Sequence, residues 1–298
     1  MFSVIIPNFN REKSIIKAIT SVLNQTYANF ELIVVDDCST DNSRQIISEI
    51  KDVRVKLLKL PQNSGAAVAR NYGIKHSKGD YISLLDSDDF YEPQFLQQTF
   101  NTISKTDSSI GFSWSGVRYL ENGKAYDKIW EPKRLNNPYI TFLNSLHIGT
   151  NSGITFKQSI FNKVGYFNES LPAAEDTDFF LRLTQHFDYI VVPKILINIE
   201  RDSNDRLSKN FSKIGRAYNI FLAQHFSVID KNTQLRRRFY YKMMWLNYHL
   251  ADQKTARYFY GKIPKELITF KIEVVRALYE FLPLKIAAYT HQKISIIK

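Results

Sequence analysis

The sequence predicts an α/β fold, a mostly parallel sheet with helices on both faces, followed by a helical C-terminal region. Three observations carry this. Near-continuous apolar runs alternate with segments of helical spacing through the first ninety residues, the signature of parallel strands covered on both sides. Two of those runs end in carboxylates, and an α/β sheet puts its ligand site at the carboxyl ends of its strands. The charge is divided: residues 1–210 hold 24 basic and 24 acidic side chains, whereas residues 211–298 hold 16 basic and 5 acidic, so the whole net charge of +11 lies in the last 88 residues. A neutral front and a cationic, aromatic-rich back imply two functional parts, 1–210 and 211–298.

The totals set bounds. A chain of 298 residues with 44% hydrophobic and 23% charged residues can bury a core and is not disordered. One cysteine, Cys38, excludes an intramolecular disulfide and a multi-cysteine zinc site, and points to a reducing compartment. The amino terminus has no basic start and too short an apolar run for a signal peptide. No apolar stretch approaches the ~20 residues of a membrane span. A cytoplasmic chain is expected.

The elements follow in order. Phe2–Asn8 reads as a buried strand whose ladder Pro7 stops. Residues 14–23 place Ile15, Ile16, Ile19, Val22 and Leu23 at helical spacing. Residues 31–35 form a second strand ending in Asp36 and Asp37. Ser39, Thr40 and Asp41 can cap a helix reaching Ile50. Residues 53–60 are a third strand, 64–76 a helix with Gly65 near its start and Arg70 inside, and 81–86 a fourth strand. Right-handed crossovers bring Pro7, Asp36, Asp37, Asp86 and Asp88 to one edge.

The fourth run ends Asp86-Ser87-Asp88-Asp89, three carboxylates within four positions. Such proximity raises their pKa values unless a cation neutralises them, and all-oxygen ligation at this spacing suits Mg²⁺ or Mn²⁺ held there to grip phosphate. The competing reading is a turn whose Asp residues cap a helix led by Pro93. There is no G-x-G-x-x-G and no Walker sequence, since the first strand runs into Asn8-Phe9-Asn10-Arg11. A diphosphate would need another neutralising group, and a carboxylate-bound metal can serve.

Further along, 94–103 reads as a helix, 110–120 as a strand and 121–124 as a turn. Asn136-Asn137-Pro138 and residues 149–153 are loop signals, the latter either lining a pocket or simply connecting. In 171–183, Phe179, Phe180 and Leu183 have helical spacing, with Glu175, Asp176 and Asp178 in the first turn. Acids there favour the helix dipole, or one of them faces a cleft as a general base. Residues 189–193 form a short strand. Residues 198–210, with Arg201 and Arg206, read as an exposed loop whose arginines are solvated or close over a phosphate.

Five segments then occur in a telling order: Val4-Ile5-Ile6-Pro7-Asn8-Phe9-Asn10, Val34-Val35-Asp36-Asp37-Cys38-Ser39-Thr40-Asp41, Asn63-Ser64-Gly65-Ala66-Ala67-Val68-Ala69-Arg70-Asn71, Leu84-Leu85-Asp86-Ser87-Asp88-Asp89 and Glu175-Asp176. Together they resemble the bacterial family 2 glycosyltransferases of GT-A fold, over about residues 1–210. The resemblance implies inverting transfer of a sugar from a nucleotide diphosphate donor, commonly a UDP-sugar. By position it implies Pro7, Asn8 and Asn10 lining the nucleotide pocket, Asp36 or Asp37 on base or ribose, and Asn63, Gly65 and Arg70 near the nucleotide. Asp86-Ser87-Asp88 resembles the family's D-x-D element, with Asp88 as metal ligand and Asp86 toward ribose or metal-bound water. Asp176 of the Glu175-Asp176 pair resembles the catalytic base. The chemistry is coherent, because an acceptor hydroxyl must lose its proton as it attacks and the departing diphosphate gains charge. Processive members carry Q-x-x-R-W. Here Gln234-Leu235-Arg236-Arg237 precedes Arg238, so single-sugar addition is expected.

The tail holds Arg236-Arg237-Arg238 and many aromatics, with Leu267 or Ile268, Ile272, Val275, Tyr279 and Leu282 at helical spacing among Lys271, Arg276 and Lys285. This fits a basic amphipathic helix on an anionic membrane, serving a glycan or lipid-linked acceptor. It also fits a helical cap with buried aromatics. A nucleic-acid surface is disfavoured by the acidic front. Two other functions compete: a binding subunit without turnover, which the retained acids argue against, and a sugar nucleotidyltransferase, which would carry a glycine- and basic-rich loop where Pro7 to Arg11 stand.

Overall fold

The computed structural model describes residues 1–121, 124–145, 150–200 and 211–296. The chain divides into two compact units: Met1–Glu169 with Glu175–Asp205, and Ser170–Ala174 with Arg206–Lys298.

In the first unit, β1 (Phe2–Asn8), β2 (Phe30–Asp36), β3 (Val55–Lys59) and β4 (Tyr81–Leu84) lie in the order β3-β2-β1-β4, all parallel. Their apolar residues divide by the period-two rule. Val4, Ile6, Leu32 and Val34 pack under α1 (Ile15–Leu23), α2 (Ser43–Ser48) and α4 (Phe95–Ile103). Ile33 and Val35 on the other face meet Ala69, Val68 and Tyr72 of α3 (Ala66–Lys75). Each fully buried aliphatic side chain contributes roughly 1.5–3 kcal/mol, which is why these strands tolerate little polarity. Gly73 brings α3 close to the sheet, since a Cβ there would stand 2.6 Å from Ile5 Cγ2.

Beyond β4 the sheet becomes mixed. β8 (Ile154–Lys157) runs antiparallel to β4, and β6 (Ile110–Glu121) antiparallel to β8. β9 (Asp188–Glu200) runs parallel to β6, and β5 (Asp89–Tyr91) pairs antiparallel with β9. β7 (Lys124–Trp130) forms a hairpin arm on β6. Helices α5 (Pro138–Ser145), α6 (Ile160–Val164) and α7 (Glu175–Leu183) complete the unit. Phe179 and Phe180 of α7 are fully buried, Phe179 edge-on to Phe156 and Phe180 edge-on to Phe112, with Phe112 stacked on Tyr189. This aromatic cluster fixes where the first turn of α7 emerges.

Several expectations change. Pro7 does not end β1. It lies opposite Val35, in a stretch where β4 no longer pairs beyond Ile5, and a strand tolerates proline on such an unpaired side. Asp86 to Asp89 do not cap the helix after Pro93, because β5 intervenes and α4 starts at Phe95. The strand expected at 189–193 is 13 residues long, and Asn198 is buried in it opposite Phe90, so residues 198–200 are strand and not loop. Arg201 and Arg206 lie outside the described residues, as do Gly149 and the tip of the 121–124 turn. Pro138 opens α5, with Asn137 Oδ1 accepting from Ile140 N at 2.9 Å.

The second unit is helical among the described residues: α8 (Phe211–Lys231), α9 (Thr233–His249), α10 (Gln253–Lys262), a 3-10 turn (Lys265–Leu267), α11 (Phe270–Phe281) and α12 (Leu284–Ile296). Side chains cap three of them: Asn232, Asp252 and Thr269 accept from the first-turn N–H groups of α9, α10 and α11. The stripe Ile272, Val275, Tyr279 is buried, so α11 is a packed helix and does not offer that face to a membrane. Leu282 lies at the end of α11 and is exposed. No described helix is long and apolar enough to cross a membrane.

Candidate active site

The site is assembled where β1, β2 and β4 end. Two non-glycine residues there, Asn10 (φ 51°) and Cys38 (φ 62°), adopt left-handed backbone, a conformation that costs energy and recurs at binding sites. Asn10 ties the two strand ends together: its Oδ1 accepts from Thr40 N at 2.8 Å, and its own N–H donates to Ser39 Oγ at 3.0 Å.

Asp36 and Asp37 are both buried and both taken up by the protein. Asp36 accepts from Asn8 Nδ2 (3.1 Å), Ser39 N (3.0 Å) and Arg44 Nε (2.6 Å). Burial works against its charge, but the bonds from Ser39 and Arg44 outweigh that and hold its carboxyl below the usual range. Asp37 accepts from the backbone N–H of Ser64 and of Gly65, each at 2.7 Å. It thereby fixes the turn into α3, where Gly65 has φ 91°, a value a glycine adopts without strain. Asn63 precedes that turn and is exposed.

Arg70, on α3, is the centre. Its side chain is 7% exposed. Nη2 donates to Asp86 Oδ1 at 2.9 Å and Nη1 donates to Glu175 Oε1 at 3.0 Å. Burial disfavours the charge, yet Asp86 and then Glu175 more than offset it, and the guanidinium pKa is raised. One cation thus joins the acid at the end of β4 to the acid opening α7, 89 positions apart in the sequence. The planar fork of arginine makes this double hold possible.

The Asp86–Asp89 turn closes with Asp89 N donating to Asp86 O at 3.0 Å. Ser87 is buried within it. Ser152 braces the turn from the far side: its Oγ donates to Asp89 Oδ2 at 2.5 Å and accepts from Asp86 N at 3.1 Å. Burial, with the neighbouring Asp86 and Asp88, pushes the Asp89 carboxyl well above the usual range. Asp88 is 44% exposed and has Arg11 Nε 3.6 Å away. In the first turn of α7, Asp176 Oδ1 accepts from Thr177 N at 2.6 Å, and Asp178 is buried against Arg182 at 2.7 Å. The three acids of that turn therefore do different things: Glu175 holds Arg70, Asp178 anchors the helix, and Asp176 stands between them.

Among the described residues, no group of three or more His, Cys, Asp or Glu is arranged to hold a metal. The donor set still fits a hard divalent cation. Asp88 and Asp86, 44% and 32% exposed, are carboxylates two positions apart on a turn. Mg²⁺ is commonly held by one or two carboxylates, with water and substrate phosphates completing its shell.

Of the residues singled out from sequence, Asn8, Asn10, Asp36, Asp37, Gly65 and Pro7 sit together at the β1–β2 corner, and Asp86 and Glu175 are both bonded to Arg70. Sequence reasoning left out Arg44, Ser39 and Ser152 as partners of these acids. Ser152 lay in the glycine-bounded 149–153 loop signal, the one hint available.

The sequence profile of Glycosyl transferase family 2 matches residues 3–165, more than half the chain. The chain belongs to glycosyl transferase family 2. Among curated members of this family, it is 37% identical over 149 residues to the Escherichia coli UDP-Glc:alpha-D-GlcNAc-diphosphoundecaprenol beta-1,3-glucosyltransferase WfgD, covering 50% of this chain and 57% of that protein. The match thus spans little more than half of that relative's length. In fold, this family 2 chain resembles Staphylococcus aureus TarS 1-349, solved in complex with UDP-GlcNAc, with a TM-score of 0.67 at 18% identity over 100% of this chain and 92% of that one. It also resembles the mannosyltransferase PcManGT of Pyrobaculum calidifontis, solved with GDP-Man and Mn²⁺, with a TM-score of 0.57 at 15% identity over 98% and 86%. These likenesses establish the GT-A fold.

Proposed function

We propose that this protein transfers a single sugar from a nucleotide diphosphate donor, a UDP-sugar, to a glycan or lipid-linked acceptor in cell-surface polysaccharide assembly, with inversion at the anomeric carbon. The observation that carries the reading is the Asp86–Arg70–Glu175 bridge, which brings the two acidic motifs to one site. WfgD is named for a UDP-sugar donor and a diphosphoundecaprenol-linked acceptor, which supports both choices here.

In this reading Asp176 accepts the proton of the acceptor hydroxyl as its oxygen forms the new bond to the anomeric carbon. The bond from that carbon to the diphosphate oxygen breaks on the opposite side, its electron pair leaving with the diphosphate. One displacement inverts the centre, so no enzyme nucleophile is needed. Asp88 and Asp86 would hold Mg²⁺ or Mn²⁺, which supplies Lewis-acid stabilisation of the leaving diphosphate; the Mn²⁺ in PcManGT supports that choice. Arg70 and Ser152 keep Asp86 in place, and Asp37 holds the turn at Gly65 where the nucleotide approaches. Pro7, Asn8 and Asn10 line the base and ribose side. The protein works at the inner face of the membrane, without nucleic acid.

The test is UDP release from a panel of UDP-sugars with Mg²⁺ or Mn²⁺, for the wild type, Asp88→Ala and Asp176→Asn. One donor should turn over in a metal-dependent way. Asp88→Ala should abolish that dependence, and Asp176→Asn should bind the donor while transferring about 10²–10⁴-fold more slowly. Binding of a nucleotide sugar with no turnover under any condition would favour a binding subunit.

A further inference from the structure

The helical unit presents an apolar surface at the corner between α11 and α12. Six consecutive residues there, Phe281-Leu282-Pro283-Leu284-Lys285-Ile286, are all exposed, with Phe281 at 80% and Ile286 at 53%. An exposed phenylalanine followed by three more apolar side chains within five positions is rare on a soluble surface, where apolar residues scatter singly. Helix α12 continues the pattern. Ala287 and His291, at i and i+4, are buried, while Lys285, Ile286, Tyr289 and Lys293 take the other side, with Tyr289 64% exposed and the Lys293 ammonium 5.6 Å from its ring centre. From Phe281 to the end of the sequence there are three lysines and no aspartate or glutamate. Glu280, the acid just before the corner, is neutralised by Arg257 and accepts from Tyr248 Oη at 2.5 Å.

We infer that the α11–α12 corner is a membrane-docking edge, in which Phe281, Leu282, Leu284, Ile286 and Tyr289 enter the interface of an anionic bilayer while Lys285 and Lys293 meet its phosphates. The charge argues for this occupant over a second copy of the chain, because the corner would meet its own uncompensated lysines in a dimer. Lysine ammonium groups beside aromatic and aliphatic side chains are the composition that an interfacial anchor uses. The inference deepens the lipid-linked acceptor reading above and names the surface that serves it. It also replaces the buried Ile272–Val275–Tyr279 stripe as the lipid-facing element of the tail.

The experiment is sedimentation of the full-length protein with vesicles of phosphatidylcholine alone and of phosphatidylcholine with phosphatidylglycerol, at low and moderate salt. The wild type should bind the anionic vesicles and weaken as salt shortens the screening length. Phe281→Ser with Ile286→Ser should abolish binding. Lys285→Gln and Lys293→Gln should each weaken it about fivefold and flatten the salt dependence. These side chains are exposed, so circular dichroism and UDP release from a soluble donor should match the wild type. The inference is overturned if the wild type ignores anionic vesicles, if the apolar variants bind as well as it does, or if light scattering shows a dimer that Phe281→Ser dissolves. Vesicle binding retained in a protein that turns over no nucleotide sugar would sink the transferase reading and leave the docking edge standing.

Discussion

Arg70 carries two demands that a lysine cannot meet together, a double hold on Asp86 and Glu175 and a permanent charge inside the protein. Replacing Arg70 by Lys should leave the fold intact, since one cation remains, but let one carboxylate drift. Transfer should fall about a hundredfold, the cost of a displacement on the order of 1 Å at a reacting site, while urea unfolding shifts little. Arg70→Met should in addition destabilise, by about 3 kcal/mol, because it leaves carboxylates facing one another without a cation. Equal stability of the two variants would count against the bridge. At this scale the sequence marked the strand-end acids but not what each is bonded to. Asp36 and Asp37 could be picked as strand-end acids, but their saturation by Asn8, Arg44, Ser64 and Gly65 depends on loops whose conformation no periodicity encodes. The Arg70–Glu175 contact crosses 105 positions and has no local signature.

Among elements, the close seat of α3 on β1 decides how accurately Arg70 is delivered. Gly73 is one turn further along the same helix, and a Cβ there would also stand 3.2 Å from Val35 Cγ2. Gly73→Ala should therefore push α3 off the sheet and cost about 1–3 kcal/mol despite alanine's better helix propensity. Thermal unfolding would show the loss, and donor turnover should fall with it because Arg70 rides on that helix. An unchanged melting temperature would mean that Ile5 simply rotates aside. The regular elements were the legible part: β1, β2, β4, α1, α3 and α7 stand within a few residues of their expected places, since apolar period and caps fix them locally. β5, β8 and the length of β9 were not legible. β5 has three residues, too few to show alternation, and β9 carries Pro193 and Lys194 where its sheet register with β6 slips. Pairing partners hold these strands, and a sequence does not display its partners.

For the molecule as a whole, acid should loosen the helical unit first. Tyr279 Oη links His249 Nε2 (2.7 Å) and His291 Nδ1 (3.1 Å), and Tyr241 Oη reaches His291 Nε2 at 3.3 Å. Burial, then His249 and Lys271, push His291 down from 6.5 to about 4. Below pH 6.5 the unfolded chain binds the proton that the folded one refuses, so stability is present above that value and is lost as the pH falls toward 4. The loss is on the order of 2–3 kcal/mol by the free energy of such a shift. Tryptophan fluorescence melts between these limits should show it, and His291→Gln should flatten the dependence; parallel slopes for the two proteins would remove His291 as the cause. The division of charge between residues 1–210 and 211–298 was legible from counting alone. Which tail residues are buried was not, because Ile272 and Ile286 have the same hydropathy and only packing separates them.

The three-way grip of Asp86, Arg70 and Glu175 has a consequence for inheritance. A crossover between positions 70 and 175 parts at least one of the three from the others. Chimeras made by recombining such enzymes should survive when the joined parents together still supply an arginine and two acids at these positions, and fail when one of the three is replaced. For laboratory evolution, these three positions are best treated as one heritable character.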